Sequence, residues 1–286
     1  MQNLFIKRYN LVNSYYTGEN MLIKLLFLSI FISFSYANSQ IPLTIEGTGD
    51  SQELLRGLAK IYKEETGNIV VIPDSIGSGG GIKKLIKGDI KIARVARALK
   101  DKEKVHELSY KLFAYSPIVF VLNTDVKNEI NLNTEDILNI FNYNIDKWEM
   151  IKNTNLEGKI YVINREKGDS SRSVLEKHMK GFKDIKEMTG ITANYNSEAI
   201  KLLLKYNNTI GYLSMPNTLN TNLKIVSVDN IFPSIENIMN HHYKLTTPLG
   251  FVFKGKLEKN AKSFLDFLKT SSAKAFMIEL GVVPAS

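Results

Sequence analysis

Residues 43–66 read LTIEGTGDSQELLRGLAKIYKEET, and the fold is decided in this stretch. Leu43 to Glu46 is a short β-rich run, and the turn Gly47-Thr48-Gly49-Asp50-Ser51 follows it. From Ser51 to Thr66 the apolar residues Leu54, Leu55, Leu58, Ile61 and Tyr62 recur at three-to-four spacing, with Glu53, Arg56, Lys60, Lys63 and Glu64 on the other faces. That period is an amphipathic helix, and Gly67 stops it. The same beat continues with a strand at Ile69–Ile72, a helix at Gly79–Lys87 and a strand at Ile90–Ala93. Short strands alternating with helices predict an α/β protein built on mainly parallel sheets.

Further along, a strand is expected at Ile118–Leu122, a helix at Thr134–Phe141 and a strand at Ile160–Ile163. Asn164 to Arg172 then turns into a helix carrying Val174, Leu175, His178 and Met179. A helix at Glu198–Tyr206, strands at Thr209–Leu213 and Leu249–Phe253, and two closing helices around Phe264–Leu268 and Phe276–Leu280 complete the pattern. Two α/β blocks thus flank connections near Asn123 and Thr247. The expected organisation is one lobe from residues 40–122 and 247–286 and a second from 123–246, with the chain crossing twice.

The chain has 286 residues, 44% hydrophobic and 23% charged, which are globular values. There is no cysteine, so disulfide frameworks, thiolate nucleophiles, zinc–cysteine sites and a lipid-modified N-terminal cysteine are all excluded. Met21, Lys24, the apolar run Leu25–Phe34 and the small residues of Ser35-Tyr36-Ala37-Asn38-Ser39-Gln40 have the layout of a cleaved signal peptide. The apolar run is too short for the roughly 20 residues that a membrane helix needs. The expectation is export to the periplasm, with residues 1–39 an extension plus signal peptide that takes no part in the fold. Lys and Arg number 37 against 29 Asp and Glu, a net charge of +8. The lysines are dispersed among acidic residues with no recognition motif, so no nucleic-acid partner is expected.

Three turns are rich in small polar residues, and each opens a helix: Gly47–Ser51, Gly77-Ser78-Gly79-Gly80-Gly81, and Arg165-Glu166-Lys167-Gly168-Asp169-Ser170-Ser171-Arg172. A helix start carries unpaired N–H groups and a partial positive charge, and so attracts anions. Each turn alone reads as an ordinary cap; three together point to an anion site. The phosphate-loop pattern Gly-x-x-x-x-Gly-Lys-Ser/Thr is absent, and no Gly-x-Gly-x-x-Gly follows a strand in the frame a dinucleotide fold requires. There is no Gly-x-Ser-x-Gly elbow, and His106, His178, His241 and His242 do not stand at metal-site spacing. Neither catalysis nor a metal nor any cofactor is expected.

These residues resemble the periplasmic phosphate-binding proteins, the substrate-capturing components of ABC importers. The resemblance runs over most of residues 44–284. It is carried by Gly47–Ser51, Ile76–Gly81, Leu132–Phe141 with Trp148, Arg165–Ser171, Ile210-Gly211-Tyr212 and Gly281-Val282-Val283-Pro284. It implies a two-lobed, type II-like periplasmic-binding-protein fold that closes on phosphate or a similar tetrahedral oxyanion, acts as a monomer and delivers its ligand to an inner-membrane permease. The ligand set it implies comprises Thr48, Gly49, Asp50 and Ser51 of the first turn, Ser78, Gly79 and Gly80 of the second, and Arg165, Asp169, Ser170 and Ser171 of the third. Arg97, which matches an arginine of shorter relatives, joins them. Arg94 has no such counterpart and reads either as a cleft cation or as one side of an ion pair.

Two positions depart from the family pattern. Ala96 stands where the resemblance implies an acidic or serine residue, of which a carboxylate would accept the proton of monohydrogen phosphate, and Asp169 stands where a serine is typical of the family. Asp169 therefore has two readings, a proton acceptor relocated to the opposite lobe or a simple helix cap. Loss of an acceptor at Ala96 leaves a molybdate or tungstate binder as an alternative. A sensory protein on the same fold is another. Trp148, with Phe141 and Tyr143 near it, is expected to anchor a lobe core.

Overall fold

The computed structural model describes residues 41–285 except 127, 153, 219 and 220. The signal peptide and extension expected at residues 1–39 lie outside the described residues. Among the described residues no helix is long and apolar enough to cross a membrane.

The chain runs β1 (Leu43–Thr44), β2 (Glu46–Gly47), α1 (Gln52–Thr66), β3 (Val70–Val71), α2 (Gly77–Lys87), β4 (Ile92–Val95), α3 (Asp101–Lys104) and the long β5 (Leu108–Asn123). It continues with β6 (Asn131–Leu132), α4 (Thr134–Phe141), β7 (Tyr161–Arg165), α5 (Ser170–His178), β8 (Ile191–Ala193), α6 (Asn196–Lys205), β9 (Thr209–Ser214), β10 (Lys224–Ile225), β11 (Ser227–Val228) and α7 (Ile235–Met239). It closes with β12 (Thr246–Lys254), α8 (Lys259–Phe267), α9 (Ser271–Glu279) and β13 (Val283–Pro284).

The main sheet has the order β2-β4-β12-β5-β9-β7-β8, with β10 and β13 also on β5. Its outer pairs, β2–β4 and β9–β7–β8, are parallel, as the strand–helix alternation implies. The central strands run antiparallel: β12 to β4, β12 to β5, and β5 to β9. The expected mainly parallel pattern therefore holds for the flanks of the sheet and gives way at its centre.

β5 serves both halves. Leu108–Pro117 pairs with β12, and Ile118–Asn123 pairs with β9. The ladder changes partner at Pro117, a residue that has no N–H to give. The return passage lies beside it, since the Ile118 amide donates to the Leu245 carbonyl at 2.7 Å. The Tyr243 hydroxyl donates to the Ile118 carbonyl, also at 2.7 Å.

Each half packs helices on both faces of its sheet. In β5 the period of two sends Ile118, Phe120 and Leu122 into a core with Phe141, Trp148 and Tyr212, while Val119 and Val121 pack with Ala199 and Leu203 of α6. Trp148 is buried, in the core role expected of it. In the other half, Leu54, Leu55, Leu58 and Tyr62 of α1 meet Phe251, Phe264 and Met277, with the Tyr62 ring 5.2 Å from Phe264 in an edge contact. The opposite face joins Ile82 and Leu85 of α2 to Val95 and Val252.

Gly81 sets the height of α2 over β2. A Cβ there would stand 3.0 Å from Gly47 Cα and 3.1 Å from the Glu46 carbonyl oxygen, both backbone atoms that cannot rotate away. Gly81→Ala gains up to about 1 kcal/mol of helix propensity but overpacks by roughly 1–3 kcal/mol, so a net loss of about 1 kcal/mol is expected in urea denaturation. A stabilised variant would contradict this close approach.

Candidate functional site

The first turn is built from below by a buried arginine. Along β4, Ala93 and Val95 face α2, so Arg94 points to the other face and is fully buried. Its guanidinium donates to the carbonyls of Thr48 at 2.7 Å, Pro73 at 2.7 Å and Ile45, and to Gln52 Oε1 at 3.3 Å. Thr48 N in turn donates to the Arg94 carbonyl at 3.1 Å. Gly47 is required where this crossing is tightest: its φ is +143°, and a Cβ would collide with the Arg94 carbonyl oxygen. Arg94 thus shapes the turn from within, and of its two sequence readings neither the cleft cation nor a surface ion pair is what it does.

The turn then folds on itself, with Asp50 N donating to Thr48 Oγ1 at 3.3 Å. Asp50 and Ser51 are both buried. Ser51 occupies the cap position of α1 without capping it through its side chain, and its hydroxyl has no hydrogen-bond partner. In the second turn Ser78 Oγ accepts from Ala96 N at 3.0 Å, so the hydroxyl proton is free to be donated elsewhere. Gly79 and Gly80 follow in the first turn of α2.

The third turn ends β7 and opens α5. Arg165 is 3% exposed; one guanidinium nitrogen donates to Asn196 Oδ1 and another to Asp169 Oδ2 at 2.8 Å, while Nε is buried with no partner. Asn164 Oδ1 steadies its backbone, accepting from Arg165 N at 2.8 Å and from the Tyr212 hydroxyl at 2.7 Å. Asp169 caps α5, its Oδ1 accepting from Arg172 N at 3.0 Å. Both Asp169 oxygens are therefore engaged within their own half, which is the geometry of the cap reading.

The turns meet. Ser171 Oγ donates to Asp50 Oδ1 at 3.2 Å, Thr48 Oγ1 and Ser170 Oγ lie 3.3 Å apart, and Ser214 Oγ donates to the Asp50 carbonyl at 2.8 Å. Around these contacts is a cleft of about 690 Å³. Thr48, Gly49 and Asp50 line it from the first turn, Ser78, Gly79 and Gly80 from the second, and Arg165, Asp169 and Ser170 from the third. Ser51 and Ser171 do not line it; both are buried behind it. Arg97 is at its wall but is forked onto Glu103 by two bonds of 2.7 Å, a pairing that holds the Glu103 carboxyl below its usual range.

Burial, and then the neighbouring Asp169 carboxylate, push the Asp50 carboxyl up to about 7, against the pull of Arg165 and the Ser171 and Ser170 hydroxyls. Sequence reading missed Ser75, Lys100, Asn194, Tyr195 and Asn196, which also line the cleft. Asn196 opens α6 directly after β8, another strand-to-helix turn; its polar run Asn194-Tyr195-Asn196 was a signal, but no glycine marked it. A separate hollow of about 480 Å³ in the second half is lined by apolar residues such as Ile140, Tyr143, Ile160 and Tyr161, and none of the three turns reaches it.

A family model for the PBP superfamily domain matches residues 35–272. The chain is 27% identical over 271 residues to the phosphate-binding protein PstS of Borreliella burgdorferi, covering 91% of this chain and 96% of that one. It is 23% identical over 247 residues to PstS of Bacillus subtilis, covering 85% and 81%. Among solved structures, a Clostridium perfringens protein assigned as a phosphate ABC transporter substrate-binding protein, with bound phosphate, aligns with a TM-score of 0.72 at 23% identity over 86% of this chain and all of that one (100%). An ABC-type phosphate transport receptor from Vibrio cholerae aligns at 0.61 with 25% identity, over 84% and 99%.

Proposed function

This chain belongs to the PBP superfamily, and from that premise we propose that it is an exported solute-binding protein that captures phosphate between its two lobes and passes it to an ABC permease in the inner membrane. The carrying observation is the buried Arg165 with an unpartnered Nε, set in a cleft where three helix-opening turns from both halves converge. Arg165, Ser78 and the amides of the first turn of α2 are donors of the kind that charge-assisted bonds to an oxyanion require. The relatives named above as phosphate-binding support the same ligand. The protein works by binding, without catalysis, and as a monomer.

Ile118, Phe120 and Leu122 pack in the core of the second half, which supports a lobe divide at Pro117/Ile118 and Leu245/Thr246. Thr48, Gly49, Asp50, Ser78, Gly79, Gly80, Arg165 and Ser170 form the wall that meets the anion, with Ser51 and Ser171 behind it. Asp169 holds Arg165 in position, and Arg97 lends the rim a cation that Glu103 offsets.

Calorimetry with phosphate, sulfate, molybdate and tungstate tests this reading. One phosphate per chain is expected to bind, with the other three at least about ten-fold weaker. Preference for molybdate or tungstate, or no heat with phosphate, would refute it.

A further inference from the structure

Ser214 belongs to the second half of the molecule and is held by the first, the half that carries α1. It is the last residue of β9, in register with Ile118 of β5, and it is fully buried. Its hydroxyl donates to the Asp50 carbonyl at 2.8 Å, and the hydroxyl of Ser116, also fully buried, lies 3.3 Å away. A serine has one hydroxyl proton to give. Because that of Ser214 goes to Asp50, Ser116 is the donor of the second bond, and the order runs from Ser116 to Ser214 to Asp50. Ser116 pairs with Thr247 of β12, within the first half. One hydroxyl of the second half is thus clasped between two groups of the first.

This clasp differs from the other two contacts between the turns. Thr48 with Ser170, at 3.3 Å, and Ser171 with Asp50 Oδ1, at 3.2 Å, join side chains. Ser214 makes the shortest of the three bonds and grips the backbone. Neither Ser214 nor Ser116 lines the cleft, whereas Asp50 does. Among the described residues no backbone amide donates to the Asp50 carbonyl, so Ser214 is its donor. An acceptor buried without a donor is costly, while one that meets water is not.

We propose that Ser214 is a positioning residue for anion capture, its hydroxyl fastening the first turn through the Asp50 carbonyl while the halves are together and so setting how long the anion is held. The assignment rests on the phosphate-capture reading and deepens it, naming a residue that slows release without touching the ligand. When the halves part, water takes the place of the hydroxyl at the carbonyl, and the bond therefore favours the ligand-holding arrangement alone.

The test is Ser214→Ala, with affinity read by calorimetry of inorganic phosphate and release read by chasing radiolabelled phosphate with unlabelled phosphate. Release is expected to quicken about ten-fold and affinity to fall by the same factor, with the association rate within about two-fold of wild type. The melting temperature of the ligand-free variant is expected to match wild type. Ser116→Ala leaves the bond to Asp50 in place and should speed release by no more than about three-fold. Unchanged release in Ser214→Ala overturns the assignment. So does a variant that fails to fold, melts lower without ligand or loses affinity through slower association, since each marks a purely structural serine. An effect of Ser116→Ala as large as that of Ser214→Ala also overturns it. Wild type that binds no phosphate would instead sink the capture reading itself.

Discussion

Arg165→Ala is expected to weaken phosphate binding by at least about 100-fold, because truncating one member of a buried, hydrogen-bonded charge pair costs roughly 2–5 kcal/mol. The guanidinium is held from two sides, by Asp169 at 2.8 Å and by Asn196, and its Nε remains unpaired. Removing it deletes the central cation of the cleft and leaves the Asp169 carboxylate, 9% exposed at its side chain, without its counter-charge. Both effects oppose an incoming anion. Arg165→Lys should recover only a small part, since an ammonium cannot reach Asp169, Asn196 and a ligand with a planar fork. Calorimetry reads the loss, and circular dichroism separates it from unfolding. Near-native affinity in Arg165→Ala would remove Arg165 from the site.

Arg94→Met is expected to act on the fold first, lowering stability by about 3–5 kcal/mol and the melting temperature by about 10 °C. The reason is the set of acceptors it strands. The carbonyls of Ile45, Thr48 and Pro73 all receive its donors in the interior, and methionine fills the volume while offering none. Burial already pulls the Arg94 pKa down to about 10, which still leaves it charged at neutral pH. Phosphate affinity should fall as well, since the Thr48 carbonyl belongs to the turn that lines the cleft. Thermal and urea melts measure the first effect; a variant as stable as wild type would show that the arginine is not what holds the turn.

The two arginines show how far the sequence could be read. Both stand in Ile92–Leu99 and look alike as letters. What separates them is the pleat of β4, which turns Arg94 into the α1 side, and Glu103 on α3, which claims Arg97. The second fact depends on a contact that no periodicity encodes. The helices were legible because the apolar spacing in α1 and α4 is unbroken. The first half of β5 was not, because Ser109, Lys111, Ser116 and Pro117 interrupt any apolar run, and only pairing with β12 makes Leu108–Pro117 a strand.

The three turns could be located from glycine and serine alone, since helix starts need those residues. The division of labour between Asp50 and Asp169 could not. Asp169 looked like the odd carboxylate for its position, yet Arg165 four residues before it and Arg172 three residues after it absorb both its oxygens. Asp50 stood in the implied ligand set with nothing to mark it from its neighbours, and only its burial and its unpartnered Oδ2 set it apart.

The paired passages at Pro117–Ile118 and Leu245–Thr246 carry a mechanical meaning. Both run side by side and are pinned by the Ile118–Leu245 and Tyr243–Ile118 hydrogen bonds. In a two-lobed fold such a narrow doubled ribbon is where bending between the halves is expected, at the proline that gives no ladder hydrogen bond. Bending at that ribbon would part Thr48 from Ser170 and Asp50 from Ser171, and its reversal would rejoin them.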